Sequence, residues 1–156
     1  MIQRKQTLFL LVAVIAYVVC LFLPIASIEP KGMGDVVSVH CLGTVSGEEG
    51  INFDSTCVPL FLLGAVSVLI ALVTIFMYKN RKLQINLCNI NLLFSVLWYV
   101  DYLLMYLRVI GLEKVEGTMG IDVGACLPLV AIIMLLMARK GVSDDEKLVR
   151  AADRIR

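Results

Sequence analysis

The chain has 156 residues, 60% of them hydrophobic and 17% charged, against roughly 45–50% apolar and about 25% charged in soluble domains. With a mean hydropathy of +0.90 and its apolar residues gathered into a few long runs, it is excluded from the ordinary water-soluble class. The formal net charge of +1, with Lys and Arg clustered beside those runs, also excludes the usual basic footprint of a nucleic-acid binder.

The first run, 7–28, has 22 residues without a charge, and at ~1.5 Å per residue it reaches across a ~30 Å hydrocarbon core. Arg4 and Lys5 precede it like the start of a signal peptide, but the run exceeds the ~7–15 residues of a signal core and no A-x-A-like site follows. It is therefore expected to stay as an uncleaved first helix. Tyr17-Val18-Val19 before Cys20 lacks the small residues that lipoprotein processing needs. The next span, 58–78, opens on Pro59, tolerated in a helix's first turn, and ends on Lys79-Asn80-Arg81-Lys82. The third runs from about 85 to 107 and the fourth from about 119 to 138, ending at Arg139-Lys140. The expected fold is thus an all-α membrane protein, a left-handed bundle of four transmembrane helices forming a single domain.

Eleven of the fourteen basic residues (Arg4, Lys5, Lys79, Arg81, Lys82, Arg139, Lys140, Lys147, Arg150, Arg154 and Arg156) fall on one side of these spans, against Lys31, Arg108 and Lys114 on the other. The positive-inside rule then puts both termini and the 79–84 turn in the cytoplasm and segments 29–57 and 108–118 outside.

The outer loop, 29–57, carries Glu29, Asp35, Glu48, Glu49 and Asp54 against Lys31. The loosely alternating Val36-Val37-Ser38-Val39-His40-Cys41-Leu42, the turn-forming Ser46-Gly47-Glu48-Glu49-Gly50 and Ile51-Asn52-Phe53 predict a small β-hairpin. Two strands are marginal alone, so the hairpin must lean on the helices or be cross-linked. Cys41 and Cys57 are both expected outside, in an oxidising compartment, and form the natural disulfide pair. Closing that loop stabilises by roughly 3 kcal/mol in the chain-entropy model. The alternatives are unpaired thiols, or a metal on His40, Cys41 and Cys57, which lacks a fourth ligand and any C-x-x-C or H-x-x-x-H spacing.

Within the third span Asp101 and Arg108 fall about 20° apart at ~100° per residue, with Asn86 and Asn89 within about 60° of them. This polar stripe is expected to face the interior, because a lipid-exposed carboxylate is costly. Trp98, Tyr99, Tyr102 and Tyr106 then form an aromatic belt near the outer interface. Asp101 reads either as a proton or cation relay or as a structural carboxylate covered by Arg108 or a tyrosine. The second span carries Gly64, Ser67, Ala71 and Thr74 on one side, a small-residue seam for close helix packing. After Gly141 the chain turns polar, and Ser143-Asp144-Asp145-Glu146 reads as a capping box opening a short C-terminal cytoplasmic helix with Lys147, Arg150, Arg154 and Arg156 on it.

The start Met1-Ile2-Gln3-Arg4, the turn Tyr78-Lys79-Asn80-Arg81-Lys82-Leu83-Gln84 and the tail Asp145-Glu146-Lys147-Leu148-Val149-Arg150-Ala151-Ala152-Asp153-Arg154-Ile155-Arg156 together resemble a family of small four-helix inner-membrane proteins of Gram-negative bacteria, known only as a domain of unknown function. The resemblance covers essentially the whole chain. It implies a bacterial inner-membrane location and four spans, and it brings no activity, cofactor or catalytic residue.

Three functions compete. A non-enzymatic scaffold or accessory subunit would bind a membrane or cytoplasmic protein, or a second copy of the chain, through Lys79, Arg81, Lys82, Lys147, Arg150, Arg154 and Arg156. A small transporter or channel subunit would use Asp101, Arg108, Asn86 and Asn89. An enzyme finds little in the sequence: one His, no H-E-x-x-H, no G-x-S-x-G and no Gly-rich phosphate loop. The expectation is the first, with the bilayer as solvent and without enzyme activity, cofactor, metal or nucleic acid.

Overall fold

A computed structural model describes residues 5–30, 36–46, 49–53, 57–77, 80–111 and 117–154. The protein is mostly helical. Four helices, α1 (Lys5–Phe22), α2 (Val58–Phe76), α3 (Arg81–Gly111) and α4 (Val123–Arg154), carry one antiparallel sheet of β1 (Ala26–Pro30), β2 (Val37–His40), β3 (Gly43–Ser46), β4 (Glu49–Phe53) and β5 (Gly117–Ile121). Helices α2, α3 and α4 are each long and apolar enough to cross a membrane. Helix α1, at 18 residues, is about 27 Å long at ~1.5 Å per residue.

Pro24 divides the first apolar run. A proline disfavours helical geometry in the residue before it and has no N–H for the carbonyl four residues back. The last helix-type bond is Leu23 N–H to Val19 O at 3.0 Å, and the chain then turns into β1. The expected helix over 7–28 therefore ends at Phe22, and Ala26–Pro30 is a strand. The carbonyl orphaned by Pro24, that of Cys20, accepts instead from the Cys41 thiol at 3.5 Å.

The sheet is larger than the expected hairpin. Its order is β4-β3-β2-β1-β5, so β1 lies between the first loop's strands and β5 from the second loop. The register pairs Ala26 with Val39 on one side and with Ile121 on the other. Residues 119–121, expected to open the fourth helix, belong to β5 and are followed by α4 from Val123. A tight turn at Cys41 and Leu42 separates β2 from β3, so 36–42 is one strand plus a turn. Both interhelical segments meet in one sheet at one end of the helices, and Ile25, Ala26, Ile28 and Val39 seal it onto Leu60, Trp98 and Ala125.

The helices form a ring in which α1 packs on α2 and α4, and α3 on α2 and α4. Each presents its buried residues at alternating steps of three and four: Gln6, Leu10, Ala13, Tyr17 and Cys20 on α1; Leu60, Gly64, Ser67, Ala71 and Thr74 on α2; Gln84, Cys88, Asn91, Ser95, Trp98, Tyr102 and Met105 on α3; Gly124, Pro128, Ala131, Leu135, Ala138 and Val142 on α4. That 3.5-residue period keeps a straight seam between helices that cross at a shallow angle. Small residues dominate the α2 seam and make up half of the α4 seam, and they bring the backbones close, which is how helices associate when their surroundings are as apolar as their side chains.

Helix α4 does not stop near Ala138. It continues for 32 residues to Arg154, so the capping box over Ser143–Glu146 opens no separate helix and those residues lie mid-helix. Ser143 is only half-buried and Val142 fully buried, because the inward stripe of α4 runs on past the apolar segment.

Candidate functional site

The polar groups inside the ring are not those the sequence pointed to. On α3 the inward direction is set by Gln84, Asn91, Ser95, Trp98 and Tyr102, all buried. At ~100° per residue Asn86 and Asn89 lie on the far side, and both are exposed. Asp101 sits at the flank and is half-buried, while the side chain of Arg108 lies outside the described residues. The expected interior stripe is thus corrected: the aromatic Trp98 and Tyr102 occupy the interior, and the asparagines face outward. Trp98 stacks on Tyr102 with centroids 5.6 Å apart and meets Tyr99 edge-on at 5.2 Å. The tyrosine hydroxyls are satisfied within the protein, Tyr102 donating to Ile25 O at 3.1 Å and Tyr99 to Ala125 O at 2.8 Å. They tie α3 to the start of β1 and of α4, so they serve as joints and not as a belt.

Midway along the ring a buried polar seam connects three helices. The Tyr17 hydroxyl of α1 hydrogen-bonds Ser95 Oγ of α3, and Ser95 also donates to Asn91 O at 2.7 Å. Asn91 Nδ2 donates to Ser67 O of α2 at 3.2 Å. Thr74 folds back onto Ile70 O at 2.7 Å. These are short side chains bonding to backbone carbonyls or to one another, an arrangement that fixes helix register. The 84/88/91/95/98/102/105 spacing was the signal that could have found this face. That face carries no charged residue, so charge alone does not mark it.

At the sheet end, Cys20, Cys41 and Cys57 are buried in one cluster. No disulfide joins Cys41 to Cys57. Cys41 turns instead toward α1, where its thiol donates to Cys20 O at 3.5 Å. The neighbouring Cys20 side chain holds Cys41 below the ordinary thiol range, against the opposing pull of burial. The Cys41–Cys57 expectation is thereby corrected. The physical reason is Pro24, which bends the chain so that the β2–β3 turn lands on the last turn of α1.

The opposite end gathers basic residues. Gln6 Nε2 of α1 donates to Asp145 Oδ2 at 2.6 Å, and Arg81 Nη1 of α3 donates to Asp145 O at 3.3 Å. Asp145 therefore pins the extension of α4 to two other helices. Lys147 pairs with Asp144 at 3.3 Å, an exposed pair that contributes little by itself. Leu136, Arg139, Lys140, Ser143, Asp144 and Lys147 line a shallow groove of about 280 Å³ along the outer face of α4. Of the other basic positions singled out in the sequence, Arg81 is half-buried and Lys82 exposed. Lys79 and Arg156 lie outside the described residues, as do the side chains of Arg150 and Arg154. What this end can do chemically is present fixed cationic side chains to an anionic surface.

A family model described as Domain of unknown function (DUF4293) matches residues 2–155. The chain belongs to the DUF4293 family. That match spans helices, sheet and the α4 extension alike, so the whole DUF4293 architecture, and not one of its ends, is the unit of the family. No curated protein matches the chain.

Proposed function

We propose that this DUF4293 chain is a four-span protein of the bacterial inner membrane, with both termini in the cytoplasm, and that it acts as a non-enzymatic scaffold or accessory subunit. It binds its partner through the basic cytoplasmic end. The observation that carries this reading is the unbroken α4. Its 32 residues extend about 48 Å at ~1.5 Å per residue, well beyond a ~30 Å hydrocarbon core. Its last turns therefore project as a braced rod carrying Arg139, Lys140 and Lys147, held in place through Gln6, Arg81 and Asp145. A solvated tail needs no such bracing.

The exterior supports membrane residence. Leu8, Leu11, Leu62, Leu69, Leu93, Leu103, Leu129 and Ile133 are among many large apolar residues exposed around the ring. A continuous apolar exterior far exceeds the few hundred Å² that a soluble monomer exposes. With α1 in the same layer as the three longer helices, we read all four as spans. The excess of basic residues at the end opposite the sheet supports the orientation. The transporter reading has less support, since Asn86 and Asn89 face outward.

Two measurements test the proposal. A phosphatase reporter active only outside the cytoplasm should be active when inserted between residues 46 and 49 and inactive when fused after Arg156; the reverse pattern would overturn the orientation. In mild-detergent extracts of native membranes, the chain should migrate in an assembly larger than itself. The combined R139E, K140E and K147E variant should collapse that assembly. A wild-type chain that runs alone, or an assembly indifferent to the charge reversal, would refute the binding surface.

A further inference from the structure

Cys20 and Cys41 are brought together by two rigid supports. Cys20 lies in the last turn of α1, which still closes normally through Leu23 N–H to Val19 O. Cys41 opens the β2–β3 turn two residues after Val39, whose carbonyl accepts from Ile25 N–H at 2.8 Å. Ile25 is itself held by Tyr102 through its carbonyl. The peptide between the two cysteines' supports is therefore fixed by hydrogen bonds at both ends. Cys41 Sγ lies 3.5 Å from Cys20 O, and the two residues share one buried cluster. Both are buried, at 2% and 0% exposure, so no solvent layer separates them. Cys88 lies in a different cluster and Cys126 is exposed on α4.

We propose that Cys20 and Cys41 are a disulfide-forming pair, a modification site that ties the sheet to the end of α1. The oxidant is a disulfide-bearing protein or small molecule. While the β2–β3 turn is lifted from α1, the Cys41 thiolate attacks one sulfur of that disulfide, breaking its S–S bond, forming a mixed disulfide and releasing one thiolate. The Cys20 thiolate then attacks the Cys41 sulfur, forming the Cys20–Cys41 bond and releasing the second thiolate. The two protons lost by the cysteines pass to the two departing thiolates, so two cysteine thiols are oxidised and one disulfide is reduced to two thiols. Burial under the sheet then shields the new bond from exchange, as in structural disulfides that resist mild reductants. The pairing depends on the local geometry alone and does not require a given membrane orientation.

The test uses the full chain, purified reduced in detergent micelles, treated with excess dipyridyl disulfide and gently warmed until the exposed Cys126 has reacted fully. It is then acid-quenched, digested without reductant and mapped by mass spectrometry. The expected result is a cross-linked peptide pair joining Cys20 to Cys41, two hydrogens lighter than the reduced pair. It should persist in C57S and vanish in C41S. Separate thiopyridyl adducts on Cys20 and Cys41, a Cys41–Cys57 link, or two intact thiols at these positions would each overturn the proposal. The wild-type measurement reads the bond directly, so a poorly folding C41S variant does not affect the outcome.

Discussion

Replacing Gly124 by alanine adds one methyl group, and two physical effects give that methyl opposite signs. Gly124 is the second residue of α4, where an amide has no acceptor inside its own helix; its N–H donates to Pro24 O at 3.1 Å. A β-carbon there would lie 2.3 Å from that oxygen and 2.9 Å from its carbonyl carbon, against 3.4 Å or more in ordinary contact. The neighbour is backbone, so α4 or the Pro24 corner must withdraw by about 1 Å. Overpacking of this sort costs ~1–3 kcal/mol. The withdrawal also lengthens two hydrogen bonds, Gly124 N–H to Pro24 O and Asp122 N–H to Ile25 O, worth ~1 kcal/mol each. Helix propensity works the other way and favours alanine by ~1 kcal/mol. The net expectation is a loss of ~2–4 kcal/mol, which at ~2–4 °C per kcal/mol for a chain of this size lowers Tm by roughly 4–16 °C. Heating the protein in detergent while following the fluorescence of Trp98, its one tryptophan, reads this directly, because Trp98 lies in the same cluster as Ala125. Gly141→Ala is the control. Its β-carbon would meet the Gln6 side chain at 2.8 Å; that side chain can move aside at the cost of its bond to Asp145, worth ~1 kcal/mol and offset by the ~1 kcal/mol by which helix propensity favours alanine, so the net shift should be small. A G124A protein as stable as wild type or more so would mean that propensity outweighs the contact, and would refute the seating of α4 against Pro24.

Three further predictions concern the seams and the brace. Tyr17→Phe and Ser95→Ala should each destabilise modestly, and a double-mutant cycle in detergent should give a coupling of ~0.6 kcal/mol, the average for hydrogen bonds between membrane helices; additive effects would remove the Tyr17–Ser95 bond from the account. Leu135→Ala should cost ~2–5 kcal/mol through the cavity it leaves, whereas Leu136→Ala, at 46% exposure against 1% for Leu135, should cost far less. Equal losses in thermal unfolding would mean that the inward face of α4 is misassigned. Gln6→Ala removes the side-chain bond to Asp145, worth ~1 kcal/mol, and should speed amide hydrogen exchange along residues 141–154 several-fold while leaving 123–138 unchanged. Unaltered exchange would show that the extension of α4 does not depend on that brace.

The sequence alone determined the four apolar helix-forming runs, three of them in helices long and apolar enough to cross a membrane, the segregation of charge and the membership of an uncharacterised family. Each depends on composition along the chain and survives without knowing which residues meet. The helix of 58–76 was legible almost to the residue, with Pro59 and the basic turn as its punctuation. Pro24 was equally visible, yet a count of apolar residues carries a run straight through it, so the break into β1 went unread. The interior of α3 was misjudged because cost was assigned to charge; in the folded protein the interior is chosen by the 3.5-residue seam shared with three other helices. Only the tertiary structure could decide which cysteines lie together and the five-stranded sheet. Both join segments far apart in sequence, β1 with β5 and Cys20 with Cys41, and long-range partners are selected by how helices and corners are held in space, not by any pattern local to the chain.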